Sequence, residues 1–428
     1  MPVKPPAPDG GIFSGYRAVV LATLLVAYIL NFVDRQIIGV LAVPIKSELH
    51  LTDTQLGMMG GLAFAIFYST LGLPIAWLAD RFSRKWIETI ALAIWSGFTA
   101  LCGMATGFTS LFVARLGVGI GEAGGVAPAF SMIADYYPPE QRARALSILT
   151  LGVPIGSALG LFIGGFLAAE YGWRFAFIAL GVAGLVFAPI FAILVREPKR
   201  GAFDPPPAAA FDSNHPRDLL RKVVGKPTFL LVALGSATAS MLSYGLGFWL
   251  PSFIARSHGL DISGTSSFLG TITITGGIAG ILLGGYLTDH FGRRDRRAYV
   301  RIPAIAFLIG FPFLLAGVYV DSLPWAFVLL LIPQAMGYIW TGPSVSIIQN
   351  IAPPSIRATT SAVYLLIVNL IGLGLGTMVF GLLSDALTAT YGESALRLAI
   401  MICAVILYPL TAALFFAATR QIRRDWQE

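Results

Sequence analysis

Residues 115–125 read RLGVGIGEAGG, so that Gly119, Gly121 and Gly124 spell G-x-G-x-x-G. An acidic residue, Glu140, follows about twenty positions later, as in a dinucleotide-binding turn. Such a turn needs a strand before it and a helix after it, because the glycines bring backbone up to a pyrophosphate at a helix start. Here the flanks are Leu111 to Val113 and Val126 to Phe130, apolar on both sides with no turn entry. The stretch therefore reads as the middle of a membrane helix, where small residues let neighbouring backbones approach. Gly117, Gly119, Gly121, Gly124 and Gly125 become packing residues, and Glu122 becomes the anomaly among them.

The rest of the chain agrees with that reading. Of its 428 residues, 56% are hydrophobic and only 12% charged, about half the charge of an ordinary soluble domain. Apolar stretches near the roughly twenty residues needed to cross a bilayer recur at 16–43, 55–79, 86–105, 109–134, 145–168, 174–195, 228–254, 265–288, 299–319, 324–350, 359–384 and 395–419. The expected fold is thus all-α, a membrane protein of twelve transmembrane helices with both termini on one side. Of the 29 Lys and Arg residues, Arg35 and Arg115 fall inside spans and only Lys46, Arg174, Arg256 and Arg397 fall on the side away from the termini. By the positive-inside rule both termini should be cytoplasmic, in the plasma (bacterial inner) membrane. The net charge of +7 is accounted for by these loops and calls for no nucleic acid. The opening residues MPVKPPAPDGGIFSG lack the apolar core of a signal peptide, so the first span should direct insertion. Cys102 and Cys403 both lie within spans, and are expected to be buried packing residues rather than a disulfide or metal framework.

The sequence also repeats. AWLADRFSRK at 76–85 follows the second span and GYLTDHFGRR at 285–294 follows the eighth; DYYPPEQRARA from Asp135 follows the fourth and NIAPPSIRATT from Asn350 the tenth. Asp80 and Asp289 are 209 apart and Arg142 and Arg357 are 215 apart, so order and spacing are kept. Residues 196–226, which include DPPPAAA, have the composition of an exposed linker. Two pseudo-symmetric six-helix bundles, residues 1–195 and 227–428, are therefore expected on either side of a cytoplasmic linker. Two parallel repeats about an axis normal to the membrane are a design for rocking around a site near the midplane.

On these motifs, with Arg115-x-x-x-Gly119-x-Gly121 and GVPIGSALG from Gly152, the chain resembles the major facilitator superfamily over nearly its whole length. NFVDRQIIGVL from Asn31, GIGEAGGVAPAFSMIADYYPPEQRARAL from Gly119 and YGLGFWLPSF from Tyr244 are similar to a bacterial-type member of the spinster subfamily. That resemblance implies a carrier of lysolipids or sphingolipid phosphates. Ala76 and Ser83 replace the glycines usual in the first superfamily loop, whereas Gly285 and Gly292 keep them in the second.

Charges inside spans single out Asp34, Arg35, Arg115 and Glu122, all in the first half. Each costs about 2.5 to 3.5 kcal/mol near a helix centre unless it is paired or wetted. Arg115 and Glu122, seven apart, share a helix face that should look into a central cavity, and depth allows Asp34 to pair with Arg115. Glu122 and Asp34 are the candidates for proton coupling. Asp34 and Arg35 point about 100° apart and must serve different neighbours. By resemblance, Arg35 or Arg115 would hold an anionic head group. The second half offers Tyr244, Phe248, Trp249, Gln334, Tyr338, Trp340, Tyr364 and Asn369; of these Tyr244, Trp249, Tyr338, Trp340 and Asn369 are the candidates to bind substrate, together with Arg35, Arg115 and Glu122 of the first half. Asp80, Arg84, Asp135, Glu140, Arg142, Asp289 and Arg293 lie at termini-side helix ends and are read as a state-dependent latch, in which Asp80 caps a helix of the other half.

No G-x-x-x-x-G-K-[ST] loop, H-E-x-x-H or G-x-S-x-G is present, which argues against a nucleotide-driven pump and an intramembrane enzyme. The expected activity is secondary transport by alternating access, coupled to protons and without another cofactor, of a lysolipid or sphingolipid-like amphiphile by a monomer in the lipid bilayer. A proton-coupled symporter of small organic anions and a substrate-gradient uniporter are the alternatives.

Overall fold

A computed structural model describes residues 15–203, 216–353 and 356–426. The central part of the linker, including DPPPAAA, lies outside the described residues, as do the side chains of Glu140 and Arg357. Among the described residues the regular structure is entirely helical. Ten segments are long and apolar enough to span a bilayer. The last of these, residues 359–418, is broken by Gly392 and Ser394 into helices ending at Tyr391 and beginning at Ala395, and so supplies two spans. Arg84–Cys102, in which Lys85 and Glu88 dilute the apolar run, completes twelve.

Local chemistry sets the helix ends. Thr52 accepts from the Gln55 amide while Gln55 accepts from that of Thr52, a capping box that starts the second span, Asp53–Ala79. Ser83 and Asp261 cap the third and eighth spans with side-chain oxygens. The fifth span, Arg144–Tyr171, turns into the sixth, Trp173–Leu194, within one residue, Gly172, whose φ of 84° suits glycine. The first span, Tyr16–Val40, packs on the fifth, and the third on the fourth and sixth; the seventh, Pro227–His258, packs on the twelfth.

The quoted stretch is where the fourth span, Phe108–Tyr136, breaks. One helix ends at Glu122 and the next begins at Val126, with Gly124 and Gly125 amides donating three residues back, to Gly121 and Glu122. The continuous helix expected from apolarity alone is thus corrected: consecutive small residues at 123–125 permit a local unwinding. The glycines also serve packing. A Cβ on Gly121 would lie 2.4 Å from the Trp95 main-chain nitrogen of the third span, and one on Gly119 2.6 Å from the Phe64 carbonyl of the second. The tenth span, Leu323–Ile351, breaks at 337–340. Moving 123–125 by the repeat offset of 215 gives 338–340, so both halves break their fourth helix at equivalent depth.

The two halves meet tightly on the side away from the termini. Gln36 donates to the Gly247 carbonyl at 3.0 Å and Thr377 to the Gly57 carbonyl at 2.6 Å. The fifth span packs along the eighth, and the second along the eleventh. At the termini side Asp80, Asp289 and Arg293 are exposed. Large apolar side chains such as Val186, Leu282 and Ile406 remain exposed along the outer helix faces, where lipid would cover them.

Candidate functional site

The centre of the first half is ionic. The first span brings Asn31, Asp34 and Arg35 to the break in the fourth, where Arg35 Nε donates to Glu122 Oε2 at 2.7 Å. Glu122 is completely buried and Arg35 is 10% exposed. The guanidinium carbon lies 5.0, 4.7 and 4.6 Å from the ring centroids of Phe32, Phe64 and Tyr68, inside the range in which an aromatic face attracts a cation. Tyr244 of the seventh span also approaches Arg35, so the second half touches this charge. The cluster is only partly satisfied: Arg35 Nη2, Glu122 Oε1, Asn31 Oδ1 and Arg115 Nε are buried without a hydrogen-bond partner. Each such atom costs about 1 to 3 kcal/mol, a cost that a polar occupant would remove.

Asp34 does not pair with Arg115 through its carboxylate. Thr99 of the third span donates to Asp34 Oδ2 at 3.1 Å, while Arg115 Nη1 lies 3.5 Å from the Asp34 carbonyl and its guanidinium 5.9 Å from the Phe64 ring. The reason is the 100° step between successive helix residues. It turns the Asp34 side chain to the third span and the Arg35 side chain to the second and fourth. Arg115 and Glu122 are buried at 1% and 0% exposure, walled in by the second and first spans.

The second-half candidates divide. Tyr244, Tyr338 and Asn369 are half-buried, and Asn369 lies on the π-helical turn Val368–Leu373 of the eleventh span. Such turns are frequent at functional sites. Trp249 is fully buried in this structure, and its indole donates to the Thr377 carbonyl at 2.8 Å, tying the seventh span to the eleventh. Trp340 is buried too, at 9%, with its indole nitrogen unpartnered.

The termini-side group converges within the first half rather than across the halves. Arg84, nearly buried, donates to Asp135 at 2.5 Å and to Glu197 at 2.9 Å. The first residues of the linker are strapped onto this cluster. Arg200 donates to the carbonyls of Ala79, Asp80 and Phe82, and the Gly201 amide donates to Asp135. Burial pushes the Glu197 carboxyl up, but the Lys85 amide, Arg84 and Ser83 outweigh it and hold the group below the usual carboxylate range. Arg142 donates to the Tyr137 carbonyl at 3.0 Å. The Asp80 cap across the halves is not made in this conformation, since the Asp80 side chain is exposed.

Sequence reasoning missed an ionic cluster that joins the halves on the far side. Asp53, 1% exposed, accepts two bonds from Arg256 at 2.9 Å, one from Lys46 at 2.6 Å and one from Ser384 at 2.7 Å. Beside it Asp385 of the eleventh span accepts from the amides of Asp53 and Thr54 and from the Thr54 hydroxyl, at 3.0, 2.7 and 2.6 Å. A carboxylate from one half thus caps a helix start of the other. The available signal was Lys46, Arg256 and Asp53 standing on a side otherwise poor in charge. Glu88 of the third span was also missed; it is 2% exposed.

Comparison with known proteins extends this picture. The profile of the Major Facilitator Superfamily matches residues 24–373. An MFS-type efflux pump of Mycolicibacterium smegmatis is 32% identical, covering 92% of this chain and 91% of its own. A sphingosine-1-phosphate transporter of Danio rerio is 25% identical over 91% of this chain and 81% of its own, and a hexuronate transporter of Bacillus subtilis 26% identical over 67% and 68%. Among solved structures, a bacterial homologue of the human lysosomal transporter spinster, inward-facing and unoccupied, superposes with a TM-score of 0.87 at 32% identity, covering 98% of this chain and 100% of that one. Its matched length, helical fold and relatives together make this chain a membrane transporter of the Major Facilitator Superfamily, with spinster-like kin.

Proposed function

We propose that the chain is a proton-coupled secondary transporter for a lysolipid or sphingolipid-like amphiphile, inserted in the plasma (bacterial inner) membrane with both termini cytoplasmic. The observation that carries this reading is the buried Arg35–Glu122 pair, joined through one nitrogen and one oxygen and ringed by the aromatic faces of Phe32, Phe64 and Tyr68. Protonation of Glu122 cancels the charge that holds Arg35. The guanidinium, caged by aromatic faces but no longer neutralised, then receives an anionic head group. Proton and anion therefore bind together, and each leaves when the other does. Tyr244, Tyr338 and Asn369 supply a half-buried polar and aromatic wall opposite, along which an apolar tail runs. The spinster-like kinship, including a relative named for sphingosine-1-phosphate, supports the amphiphile. The relative named for hexuronate favours a second reading, a small organic anion on the same arginine.

The test is uptake of a labelled lysophospholipid into proteoliposomes, wild type beside Glu122→Gln, with and without a pH gradient. Gradient-stimulated uptake in the wild type and gradient-blind exchange in the variant are expected. A Glu122→Gln protein that keeps the pH response ends the proton role of Glu122. Folded wild type that carries hexuronate and no lysolipid transfers the substrate to the second reading.

A further inference from the structure

One helical turn from the Arg35–Glu122 pair, toward the termini, the spans leave a narrow, partly open gap with room for about a single water. Tyr28 and Asn31 line it from the first span, Glu88 and Trp95 from the third, and Gly125 from the break in the fourth. The chain directions agree on its depth. Asn31 precedes Arg35 by four residues on a span leaving the termini side, Gly125 follows Glu122 by three on a span returning to it, and Glu88 precedes Trp95 by seven.

Three polar atoms of these walls are buried and lack a partner: Asn31 Oδ1, Glu88 Oε2 and Trp95 Nε1. Two are acceptors and one is a donor. A buried water makes about three hydrogen bonds. One water here would accept from the Trp95 indole and donate to Asn31 and Glu88, satisfying all three. The Asn31 side chain also lies against Glu122, which links the cavity to the ion pair.

We propose that Glu88 is a second proton-binding residue of the carrier, joined to Glu122 through a water held by Asn31 and Trp95, and that it serves as the exit for the proton toward the termini side. The inference rests on the proton-coupled reading given above. The transfer balances without any other reactant once the protonated Glu122 carboxyl turns from Arg35 past Asn31 to the water: it gives the water a proton, the water passes one of its own to the Glu88 carboxylate, and Glu88 yields it to the termini-side solution. The charged groups around Glu88 leave it free for this. Arg84 on its own helix is engaged by Asp135 and Glu197, and Lys85 lies at the helix start. The first span contributes Arg17 near its start, Tyr28, and Asp34 and Arg35 beyond the cavity; the fourth contributes Arg115 and Glu122 above and Asp135 below; the sixth carries Arg174 alone, at the far end. Arg17 lies over the Tyr137 ring, and none of the others forms an ion pair with Glu88 among the described residues.

Infrared difference spectra of the full-length protein in lipid nanodiscs, titrated between about pH 5 and 9, test the idea without needing the substrate. Beside any band from Asp34, which Asp34→Asn identifies, the wild type should show two protonated-carboxyl bands that appear as pH falls, one lost in Glu122→Gln and the other in Glu88→Gln. In Glu122→Gln the midpoint of the remaining band should move, because the two sites exchange charge through one water. Trp95→Phe, which keeps the ring packing, should shift the Glu88 band, and provides the readout if Glu88→Gln does not fold. A spectrum from which neither Glu88→Gln nor Trp95→Phe removes or shifts a titrating band overturns the Glu88 relay and leaves Glu122 untouched. A spectrum that keeps both bands in Glu122→Gln overturns the underlying reading of Glu122, and with it the coupled exit.

Discussion

Asp53 is the residue whose removal should most disturb the balance between the two faces of the carrier. In Asp53→Asn the side chain keeps its shape and loses its charge. Of the partners of Asp53, Lys46 belongs to the same half and follows it when the far side opens; Arg256 and Ser384 belong to the other half and are left behind. Only the latter contacts separate the two conformations. Hydrogen bonds to charged groups contribute about 1.5 to 3 kcal/mol, and Arg256 is 23% exposed, so water screens part of the gain and the lower end applies. Asparagine retains an acceptor, which leaves a loss of about 2 kcal/mol, or roughly a 30-fold shift toward the state open on the far side. Spin labels at Ser47 and Ala389, exposed on opposite halves of that side, report it by electron double resonance after the buried Cys102 and Cys403 are replaced. A longer distance should grow in Asp53→Asn and in Arg256→Gln. Because both break one interaction, the double variant should shift no further than either alone. Distances unchanged by Asp53→Asn, or shifts that add in the double variant, would refute the gate.

The same reasoning reaches other positions. Asp385→Asn, which weakens three bonds to the start of the second span, should also open the far side, and Asp80→Asn, at the opposite end of that span, should favour the present closure. Combining the two should return the spin-label distances toward wild type, and an Asp80→Asn protein with unaltered distances would sink the latch. Gly121→Ala forces a methyl to 2.4 Å from main-chain nitrogen that cannot step aside. It should cost about 1 to 3 kcal/mol and lower the melting temperature in detergent. Gly72→Ala, with nothing within 4 Å, should not; equal melting of the two would discard the close-packing argument. Glu197, held below its ordinary pKa, contributes stability that is complete above about pH 4.3 and is lost as pH falls through the lowered native value. Being partly exposed, it contributes about 1 kcal/mol or less. The stability gap between wild type and Glu197→Gln should hold from neutral pH to about 5 and close in stronger acid; a gap that widens there would contradict the assigned sign.

What could be read from the sequence is what depends on composition and period. Twelve apolar runs, their charge asymmetry and the duplicated D-R/H-F-S/G-R-K/R loop led to an all-helical carrier fold, because a bilayer leaves the backbone few other choices. Break points were hidden. An apolar window does not register whether three small residues keep the helix or unwind it, so the GEAGG turn that seats Glu122 looked like uninterrupted helix, and its counterpart at 337–340 passed unnoticed. Partners were hidden for a related reason. Depth along a helix comes from counting residues, but direction depends on the neighbours, and depth alone suggested Asp34 with Arg115 where direction gives Asp34 to Thr99 and Arg35 to Glu122.

Direction also explains why the residues overlooked are those that join elements. Asp53 and Glu88 each sit within a turn or so of a helix start, where a charge is inexpensive and therefore uninformative when only the sequence is in view. Burial changes that. At 1% and 2% exposure neither is a solvated surface charge, and their fates then differ by what surrounds them. Asp53 is met by two cations and a hydroxyl from both halves, which suits a group that must hold two bodies together and let go as a unit. Glu88 is met by an asparagine, an indole and a void. A carboxylate without a cation in a membrane is retained at low cost only if it shares a proton or a water, and a gap one turn from Glu122, with Glu88 on its termini-side wall, is where the proposed exit would share one.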